Sequence, residues 1–499
     1  MVPTRRPFPA ALLTVFLTAV PLHAQCPTTW SPLASGLDDS AWSLAHHPDG
    51  SLVVGGDFLT AGGLSVGRIA HWTTGGSWSS LGGGVDGYVR GLAVAQSGEV
   101  FAGGTFTHAG GVAANRIARW NGSSWSPLGS GVGPGIVSIL LPEASGSLLV
   151  GGSFATAGGM LVNNVARWNG SAWSSLGSGL TSGGVVRALA ITPNGDLYAG
   201  GLFSTTGSLG IARFDGATWG PVGSGMSGGG LTAVLALLAL PNGDVVAGGL
   251  FTTAGGVPAG YIARWNGSSW SPLGSGTNGP VNALRQLPDG DLVAGGAFTV
   301  AGGSNAPYLA RWDGTAWSAM DTSLDAAVEA LDLLPDGDLV VAGRFTTAGG
   351  AAAARIVRRT SGCPALAASY GTGCVGTAGP VALTDTALPW LGGTCRAIAT
   401  GLPIDALAVA AFGFAQLAIP MPAVHPLGTP GCTLLVTDEI LLHVPLLGGS
   451  VATALSIPDA AVLIGATFHH QVVVVERDAA GHLAALTGSN GLSLTIGDL

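Results

Sequence analysis

A segment of about 48 residues repeats along most of the chain, and this repeat constrains the fold more than any other feature. A phenylalanine that follows two small residues and one variable residue marks each copy, at Phe58, Phe106, Phe154, Phe203, Phe251, Phe298 and Phe345. A tryptophan that opens a short Trp-x-x-apolar element recurs at Trp30, Trp78, Trp125, Trp173, Trp219, Trp270 and Trp317. Such regular self-similarity indicates a repeat architecture.

Each copy contains four strand-like runs that are joined by turn-forming residues. Pro-Asp-Gly or Pro-Asn-Gly joins the first two runs, as at residues 193–195 and 288–290, and Asn-Gly or Asp-Gly joins the last two, as at 121–122. Because Asn and Gly tolerate the positive φ of tight hairpins, the pattern predicts four-stranded antiparallel units. Repeated units of this kind are typical of a β-propeller, whereas an open β-solenoid uses shorter coils without two hairpins per repeat.

The two ends of the repeat region predict a closed ring. The region begins with a lone fourth strand at residues 30–33 and ends with three strands, at 328–334, 338–345 and 355–359. If the N-terminal strand completes the last unit, no sheet edge is left exposed. We therefore expect an all-β chain whose residues 25–360 form a seven-bladed β-propeller closed by the N-terminal strand.

Most repeated side chains are expected to be structural. Aromatic residues at a fixed phase indicate packing between blades, and the small residues before Phe indicate close backbone approach. The arginine of Ile-Ala-Arg-Trp, as at Arg119 and Arg311, is expected to pair between strands. Near the axis, the repeats offer mainly small and apolar residues with scattered Asp.

Composition and the N-terminal residues bound the environment of the protein. The chain has 499 residues, of which 47% are hydrophobic and 9% charged, so it can bury a core despite its 84 Gly. The net charge of -9 argues against a nucleic-acid partner.

Residues 1–24 fit a signal peptide, with Arg5 and Arg6 before an apolar stretch and a small-residue cleavage site, which predicts a secreted or cell-surface protein. A lipoprotein anchored at Cys26 is the alternative. The apolar residues 402–421 include Asp405 and two Pro, which favours buried strands over a membrane span.

The repeat resembles those of the kelch and galactose-oxidase-like superfamily, through Gly-Gly-x-Phe followed by Ile-Ala-Arg-Trp-Asn-Gly and Trp-Ser-x-Leu-Gly. It is most similar to the propeller of the fungal cortical marker of cell polarity and to related bacterial secreted repeat proteins. The resemblance covers roughly residues 30–360 and implies a surface or interaction protein. No residues match the copper ligands of galactose oxidase, so no catalytic residue is implied.

Residues 361–499 lack the repeat and resemble a small β-sandwich module of secreted bacterial proteins. Its landmarks include Tyr-Gly-Thr-Gly-Cys at 370–374 and Gly-Cys at 431–432. Four cysteines lie here, Cys363, Cys374, Cys395 and Cys432, and in an exported protein they suggest two disulfides with three possible connectivities. The resemblance favours Cys374 with Cys432, because both lie in Gly-Cys landmarks. Cys26 is left free or paired outside this domain.

One acidic feature suggests a binding face. If the ring closes, the loops at 321–327, 34–41 and 82–88 are consecutive, and they carry Asp38, Asp39, Asp86, Asp321 and Asp325. Clustered oxygen ligands suit Ca²⁺, and solvated loop charge is the alternative explanation. No other cofactor is expected. The adjacent His46 and His47 are expected to point to opposite faces of a strand and not to share a metal.

Three functions remain open from the sequence. The first is a secreted, non-enzymatic propeller that binds an unknown protein or glycan at the cell surface or outside the cell. The second is an extracellular carbohydrate-active enzyme, a hydrolase or lyase, on the same scaffold. The third is a structural envelope or matrix component.

Overall fold

A computed structural model describes residues 28–497 except 182, 229, 321–323, 362–365, 390–392, 431, 438–439, 447–448, 459–462, 479 and 481. The predicted signal peptide, Cys26 and Cys363 lie outside these residues. The described chain is all-β apart from one short α-helix, Met421–Val424. No helix in this part of the chain has the length and apolar character needed to cross a membrane.

Seven four-stranded antiparallel sheets, I to VII, occupy the described repeat region, and the Asn-Gly and Asp-Gly sequences of the repeats lie in hairpin turns between their strands. Their strands, from first to fourth, are: I, Ala41–His46, Leu52–Gly56, Ile69–Trp72 and Trp78–Ser80; II, Val89–Val94, Val100–Gly104, Ile117–Trp120 and Trp125–Pro127; III, Val137–Pro142, Leu148–Gly152, Val165–Trp168 and Trp173–Ser175; IV, Val185–Ile191, Leu197–Thr205, Ser208–Phe214 and Trp219–Pro221; V, Ala233–Ala239, Val245–Leu250, Ile262–Trp265 and Trp270–Pro272; VI, Val281–Gln286, Leu292–Gly296, Leu309–Trp312 and Trp317–Ala319; VII, Val328–Leu333, Leu339–Gly343, Ile356–Ser361 and Thr28–Pro32.

The fourth strand of sheet VII comes from the other end of the repeat region. Thr28–Pro32 pairs antiparallel with Ile356–Ser361, and Trp30 lies opposite Arg359. The expected pairing of the N-terminal strand with the last unit is therefore observed. Each sheet on its own stays open, with its first and fourth strands as edges.

Packing continues from sheet I through sheet VII and back to sheet I. Seven apolar clusters of described residues each contain side chains from two neighbouring sheets, including one that joins Leu44 and Val54 of sheet I to Val340 and Ile356 of sheet VII. The repeated phenylalanines are buried, six of them with less than 2% exposure. This agrees with a packing role for the aromatic repeat.

The repeated arginines pair with carboxylates between strands, as expected. Arg167 on the third strand of sheet III bonds bidentately to Glu143, with Nε–Oε2 at 2.7 Å and Nη2–Oε1 at 2.8 Å. Equivalent pairs are Arg119–Glu99, Arg213–Asp196, Arg264–Asp244, Arg311–Asp291 and Arg358–Asp338.

Short hairpins follow the second strands of all sheets except IV, where the two long strands include the turn. They are Thr60–Ala61 with Leu64–Ser65, His108–Ala109 with Val112–Ala113, Thr156–Ala157 with Met160–Leu161, Thr253–Ala254 with Val257–Pro258, Val300–Ala301 with Ser304–Asn305, and Thr347–Ala348 with Ala351–Ala352. Met226–Ser227 adds a third strand to the hairpin after sheet V's second strand.

The C-terminal residues form a separate set of sheets around their own core. One sheet contains Leu366–Tyr370, Gly491–Thr495, Thr467–Arg477, Leu407–Gly413, Ile440–Val444 and Leu483–Gly488, and a second contains Ala382–Ala387, Thr394–Thr400 and Ser450–Ser456. Two further pairs are Gln416–Pro420 with Thr433–Val436 and Val375–Gly376 with Gly379–Pro380. One apolar cluster includes Leu383 and Val451 of the second sheet with Val472 and Leu494 of the first.

Candidate functional site

The first strand of every sheet carries a β-bulge at its second or third residue. The register between first and second strands shifts there in all seven sheets, so that one residue has no partner opposite it. These residues, which we call the bulge ring, are Trp42, Arg90, Ser138, Arg187, Leu235, Asn282 and Glu329. A bulge re-aims a side chain and is common beside functional sites.

The bulge ring gathers residues of different sheets because the first strands lie next to one another. Each first strand contacts the first strand of the following sheet, and that of sheet VII contacts that of sheet I. The bulge residues directly follow the loops between sheets, and these loops were expected to form the binding face. The flanking residues repeat from sheet to sheet, whereas the bulge residues differ in size, charge and polarity.

Arg90 and Trp42 form the aromatic and cationic part of the bulge ring. The guanidinium carbon of Arg90 lies 3.7 Å from the centre of the Trp42 ring, which is a cation–π contact. Tyr88, with 46% of its surface exposed, meets Trp42 edge to face at 5.6 Å between ring centres. Burial, and next the like charge of Arg187, lower the pKa of Arg90.

Glu329 forms the acidic part of the bulge ring. Its Oε1 lies 2.7 Å from Nε of Arg344, and its Oε2 accepts a hydrogen bond from Nδ2 of Asn282 at 3.3 Å. Burial raises the pKa of Glu329, although Arg344 favours its charged form. The charges of Arg90 and Arg187, on the first strands of sheets II and IV, also favour the charged form of Glu329 and so act to lower its pKa.

A second polar cluster lies at the opposite end of the first strands of sheets I, VI and VII. The carboxylate of Asp332, whose side chain is 2% exposed, bonds to Nδ1 of His46 at 3.2 Å and to Nη2 of Arg285 at 2.9 Å. Burial opposes ionisation of Asp332, but the bond to His46 and the charge of Arg285 outweigh it and lower the pKa. The same bond raises the pKa of His46. His47 instead bonds to the carbonyl oxygen of Gly98, so the two adjacent histidines do not act together.

The loop aspartates bind backbone groups of their own sheets. Asp38 accepts hydrogen bonds from the amides of Leu59 and Thr60, both at 2.9 Å. Asp86 and Asp325 do the same in sheets II and VII, toward residues 107–108 and 346–347. Burial opposes ionisation of Asp86 and Asp325, but these hydrogen bonds outweigh it and lower the pKa of both carboxyls.

The remaining members of the predicted acidic sector, Asp39 and Asp321, are not seen to join the other aspartates in a group of carboxylates among the described residues. Asp39 accepts a hydrogen bond from the amide of Ser40, and Asp321 lies outside the described residues. In the described part of the chain, no three His, Cys, Asp or Glu residues are grouped so that they could hold a metal ion. The Ca²⁺ sector therefore stays a prediction.

The structure joins Cys374 to Cys432 in a disulfide, the pair favoured by the resemblance. Cys395 is a buried free thiol, and burial raises its pKa to about 12. The expectation of a second disulfide among these four cysteines was wrong, since it would require Cys395, whose thiol is free; Cys363 lies outside the described ranges.

Sequence reasoning missed the bulge ring and the Asp332 cluster. Small and apolar residues with scattered Asp were expected near the axis, and this stays a prediction; the first strands are mostly small and apolar but also carry Trp, Arg, Asn and Glu at their bulges. The signal in the sequence was variation: the bulge residue differs between the first strands, while the residue before it is valine in sheets II to VII. The His46–Asp332–Arg285 contacts join three different repeats, and no local pattern indicates them.

Comparisons with known proteins agree with an all-β, propeller-like chain. Residues 47–77, 287–312 and 334–360 match the family described as "Domain of unknown function (DUF5122) beta-propeller". No curated protein matches the chain.

Several solved structures are similar to the chain at low sequence identity. The WD40 β-propeller domain of Doa1 is 14% identical, with a TM-score of 0.44 over 66% of this chain and 96% of that one. YCF48 bound to D1 peptide is 16% identical, with a TM-score of 0.39 over 68% and 97%. The extracellular domain of a putative hybrid two-component system from B. thetaiotaomicron is 10% identical, with a TM-score of 0.43, and the match covers 95% of this chain but 59% of that one.

Proposed function

We propose that this protein is a secreted, non-enzymatic β-propeller that binds a protein or glycan at the cell surface or outside the cell. In this proposal the seven sheets are the blades of a closed propeller spanning residues 25–360. Residues 361–499 form a β-sandwich, and residues 1–24 are a signal peptide. The continuous packing between sheets VII and I and the pairing of Thr28–Pro32 support the closed ring. The Cys374–Cys432 disulfide supports export.

The bulge ring is the observation that carries the binding function. A purely structural scaffold needs only the residues that pack the sheets together, and in this chain those packing residues repeat from sheet to sheet. The bulge position instead carries six residue types in seven sheets. Arg90 contacts Trp42 of the neighbouring sheet, and Glu329 accepts a hydrogen bond from Asn282 of its own neighbour. An asymmetric group of aromatic, cationic and polar side chains on a rigid framework is typical of a ligand site.

Binding to glycan arrays and to surface material of the source cells tests this proposal. Wild-type protein is compared with the double variant Arg187→Gln/Tyr88→Ser, because both side chains are exposed. Arg213→Gln is the matched control, since Arg213 lies on the third strand of the same sheet as Arg187. We expect specific binding that the double variant loses and the control keeps. Binding that is unchanged in the double variant would exclude the bulge ring as the site.

An extracellular carbohydrate-active enzyme is the alternative. The observation that favours it is the buried Asp332 with its bonded His46, because a carboxylate that raises the pKa of a histidine supports acid–base chemistry. Release of reducing ends or of unsaturated products from a polysaccharide panel, lost in His46→Gln, would establish this alternative.

A further inference from the structure

Sheet I departs from the arginine repeat of the third strands. The other six sheets carry an arginine at the third position of that strand, and each of these arginines pairs with a carboxylate. Sheet I carries His71 there, and Ser51 occupies the position that holds the paired Glu or Asp in five of the other sheets. The ion pair of the repeat is therefore absent from sheet I.

Hydrogen bonds between neutral groups replace this ion pair. Nε2 of His71 lies 2.7 Å from Oγ of Ser51, and Nδ1 of His71 lies 3.2 Å from Oγ of Ser79. The Ser51 hydroxyl donates to Oδ1 of Asp49 at 2.5 Å, and the Ser51 amide donates to the same oxygen at 2.8 Å. Burial lowers the pKa of His71, which favours its neutral form. The polar groups at this end of sheet I are thus held in place without an arginine.

His47 joins this end of sheet I to sheet II. Its Nδ1 lies 2.9 Å from Oδ1 of Asp49, and its Nε2 lies 3.0 Å from the carbonyl oxygen of Gly98 in the first turn of sheet II. Burial opposes ionisation of Asp49, but the hydrogen bonds from Ser51 and His47 outweigh it and lower the pKa to about 2. The Asp49 side chain is 57% exposed, and no hydrogen bond from the described residues reaches its Oδ2. This oxygen is available to accept hydrogen bonds from a ligand.

Trp120 adds an aromatic surface from sheet II. It ends the third strand of that sheet, and it lies so close to sheet I that a Cβ atom at Gly82 would be 2.5 Å from its ring carbon Cζ3. The ring is partly exposed, and its N–H donates no hydrogen bond to the described residues. One cavity of about 290 Å³ between sheets I and II is lined by this ring together with His47, Asp49, His71 and Ser79.

Sheet VI shows what the arginine does to the residue that corresponds to Asp49. Arg311 pairs with Asp291, its regular partner, and also with Asp289. Asp289 occupies the position of Asp49 in its own Pro-Asp-Gly turn, and sheet VII repeats this arrangement through Arg358. The arginine therefore neutralises this aspartate in sheets VI and VII, whereas in sheet I the carboxylate stays open to a ligand.

We propose that the cleft between sheets I and II binds an uncharged hexose unit of a glycan, with a C–H face of the sugar on Trp120 and hydroxyls of the sugar on Asp49. The apolar face of an aromatic ring suits the C–H groups of a sugar, and a carboxylate oxygen accepts hydrogen bonds from hydroxyls. Because no arginine neutralises Asp49, a sugar that carries its own carboxylate is repelled. This cleft lies at the opposite end of the first strands from the bulge ring, so it is a second site beyond the binding function proposed there.

Sugars with and without a carboxylate test the proposal. The mature protein is titrated with the methyl glycosides of glucose, galactose and mannose and with the corresponding uronic acids, and binding is measured by saturation-transfer NMR and calorimetry. We expect one or more of the neutral glycosides to bind, and the uronic acid of the same sugar to bind roughly tenfold or more weakly because of its charge.

Two variants and one matched control locate the binding. Ser51→Asp/His71→Arg restores the ion pair of the repeat, so the protein should stay folded and lose sugar binding. Trp120→Leu should weaken binding by roughly tenfold, because it removes the aromatic surface. Trp312→Leu removes the equivalent ring in sheet VI and should leave sugar binding unchanged. Thermal unfolding confirms that all three variants are folded.

The outcomes separate this cleft from the bulge ring. Failure of all three neutral glycosides to bind would overturn the proposal, and so would binding that Ser51→Asp/His71→Arg leaves unchanged. Equal binding of a sugar and its uronic acid would overturn the contact assigned to Asp49. Array binding that depends on Arg187 and Tyr88, in a protein that binds none of the three glycosides, would exclude the cleft and leave the function of the bulge ring.

Discussion

Gly295 in sheet VI lies so close to sheet VII that a Cβ atom at its position would be 2.5 Å from Cγ1 of Val328. The same relation joins Gly and Val in the preceding interfaces, as between Gly55 and Val89. At the interface of sheets VII and I, Ala342 replaces the glycine and Ala41 replaces the valine, and both are buried in the cluster those sheets share. The volume lost on one strand is regained on the other.

This complementarity predicts a compensating double mutation. Gly295→Ala is expected to destabilise the protein by about 1–3 kcal/mol, because the new methyl group overpacks the interface. Adding Val328→Ala reproduces the natural Ala–Ala pair and is expected to recover part of that loss. Urea unfolding of the single and double variants measures the coupling energy. Strictly additive effects would contradict the proposed close contact.

The repeat explains which parts of the fold were predictable. Turn residues such as Asn121 and Gly122 act through local backbone geometry, so they reveal the hairpins without any knowledge of tertiary contacts. The pairing of Trp30 with Arg359 followed from counting strands at the two ends of the repeat. The site was not predictable in this way. Arg90 and Trp42 lie in different repeats, and they indicate a site only after the fold has placed their bulges next to each other.

The indole N–H of the fourth-strand tryptophan links two neighbouring sheets in sheets I to VI, and we expect its loss to lower stability. Nε1 of Trp125 donates to the carbonyl oxygen of Leu81 at 2.7 Å, and both residues are buried. Trp125→Phe leaves this oxygen without its donor, so the free energy of unfolding should fall by about 1–3 kcal/mol. Trp120→Phe is the control, because the neighbouring Trp120 donates no hydrogen bond to the described residues. Equal losses in both variants would show that ring volume alone matters.

The Asp332 cluster predicts a specific dependence of stability on pH. Because the folded pKa of His46 is raised above 6.5, its contribution is complete below that pH and is lost as pH rises through the folded pKa. Asp332 has a lowered pKa, so its contribution is lost only as pH falls below the usual Asp range. In the wild type, the free energy of unfolding should therefore decrease between about pH 6 and 8, and His46→Gln should remove this decrease.

His71 provides the opposite sign as a control. Burial lowers its pKa, so the folded protein disfavours its protonation and loses stability as pH falls through 6.5. Replacing His71 with Gln should therefore flatten the acid side of the profile instead. Identical pH profiles for wild type and His46→Gln in urea titrations would contradict the role assigned to the His46–Asp332 bond.

The Cys374–Cys432 disulfide closes a loop with a sequence separation of 58. Loss of the bond should lower stability by roughly 3–5 kcal/mol, since the unfolded chain gains freedom. Calorimetric unfolding with and without reductant measures this effect, and the double variant Cys374→Ser/Cys432→Ser should lose the part of the response to reductant that comes from this bond. The buried Cys395 should resist alkylation until the protein unfolds, because burial raises its pKa to about 12. Peptide mapping identifies which thiols are modified.

The position of Asp38, and the equivalent positions in other sheets, should require a hydrogen-bond acceptor but not a negative charge. Asn278 occupies the same position in sheet VI, and its Oδ1 accepts hydrogen bonds from Thr299 and Val300 at 2.8 and 2.9 Å. Asp38→Asn is therefore expected to leave the melting temperature nearly unchanged. Asp38→Ala should cost about 1 kcal/mol, because two amides lose their partner. A rise in melting temperature with Ca²⁺ that Asp38→Asn abolishes would contradict this role and support the calcium sector.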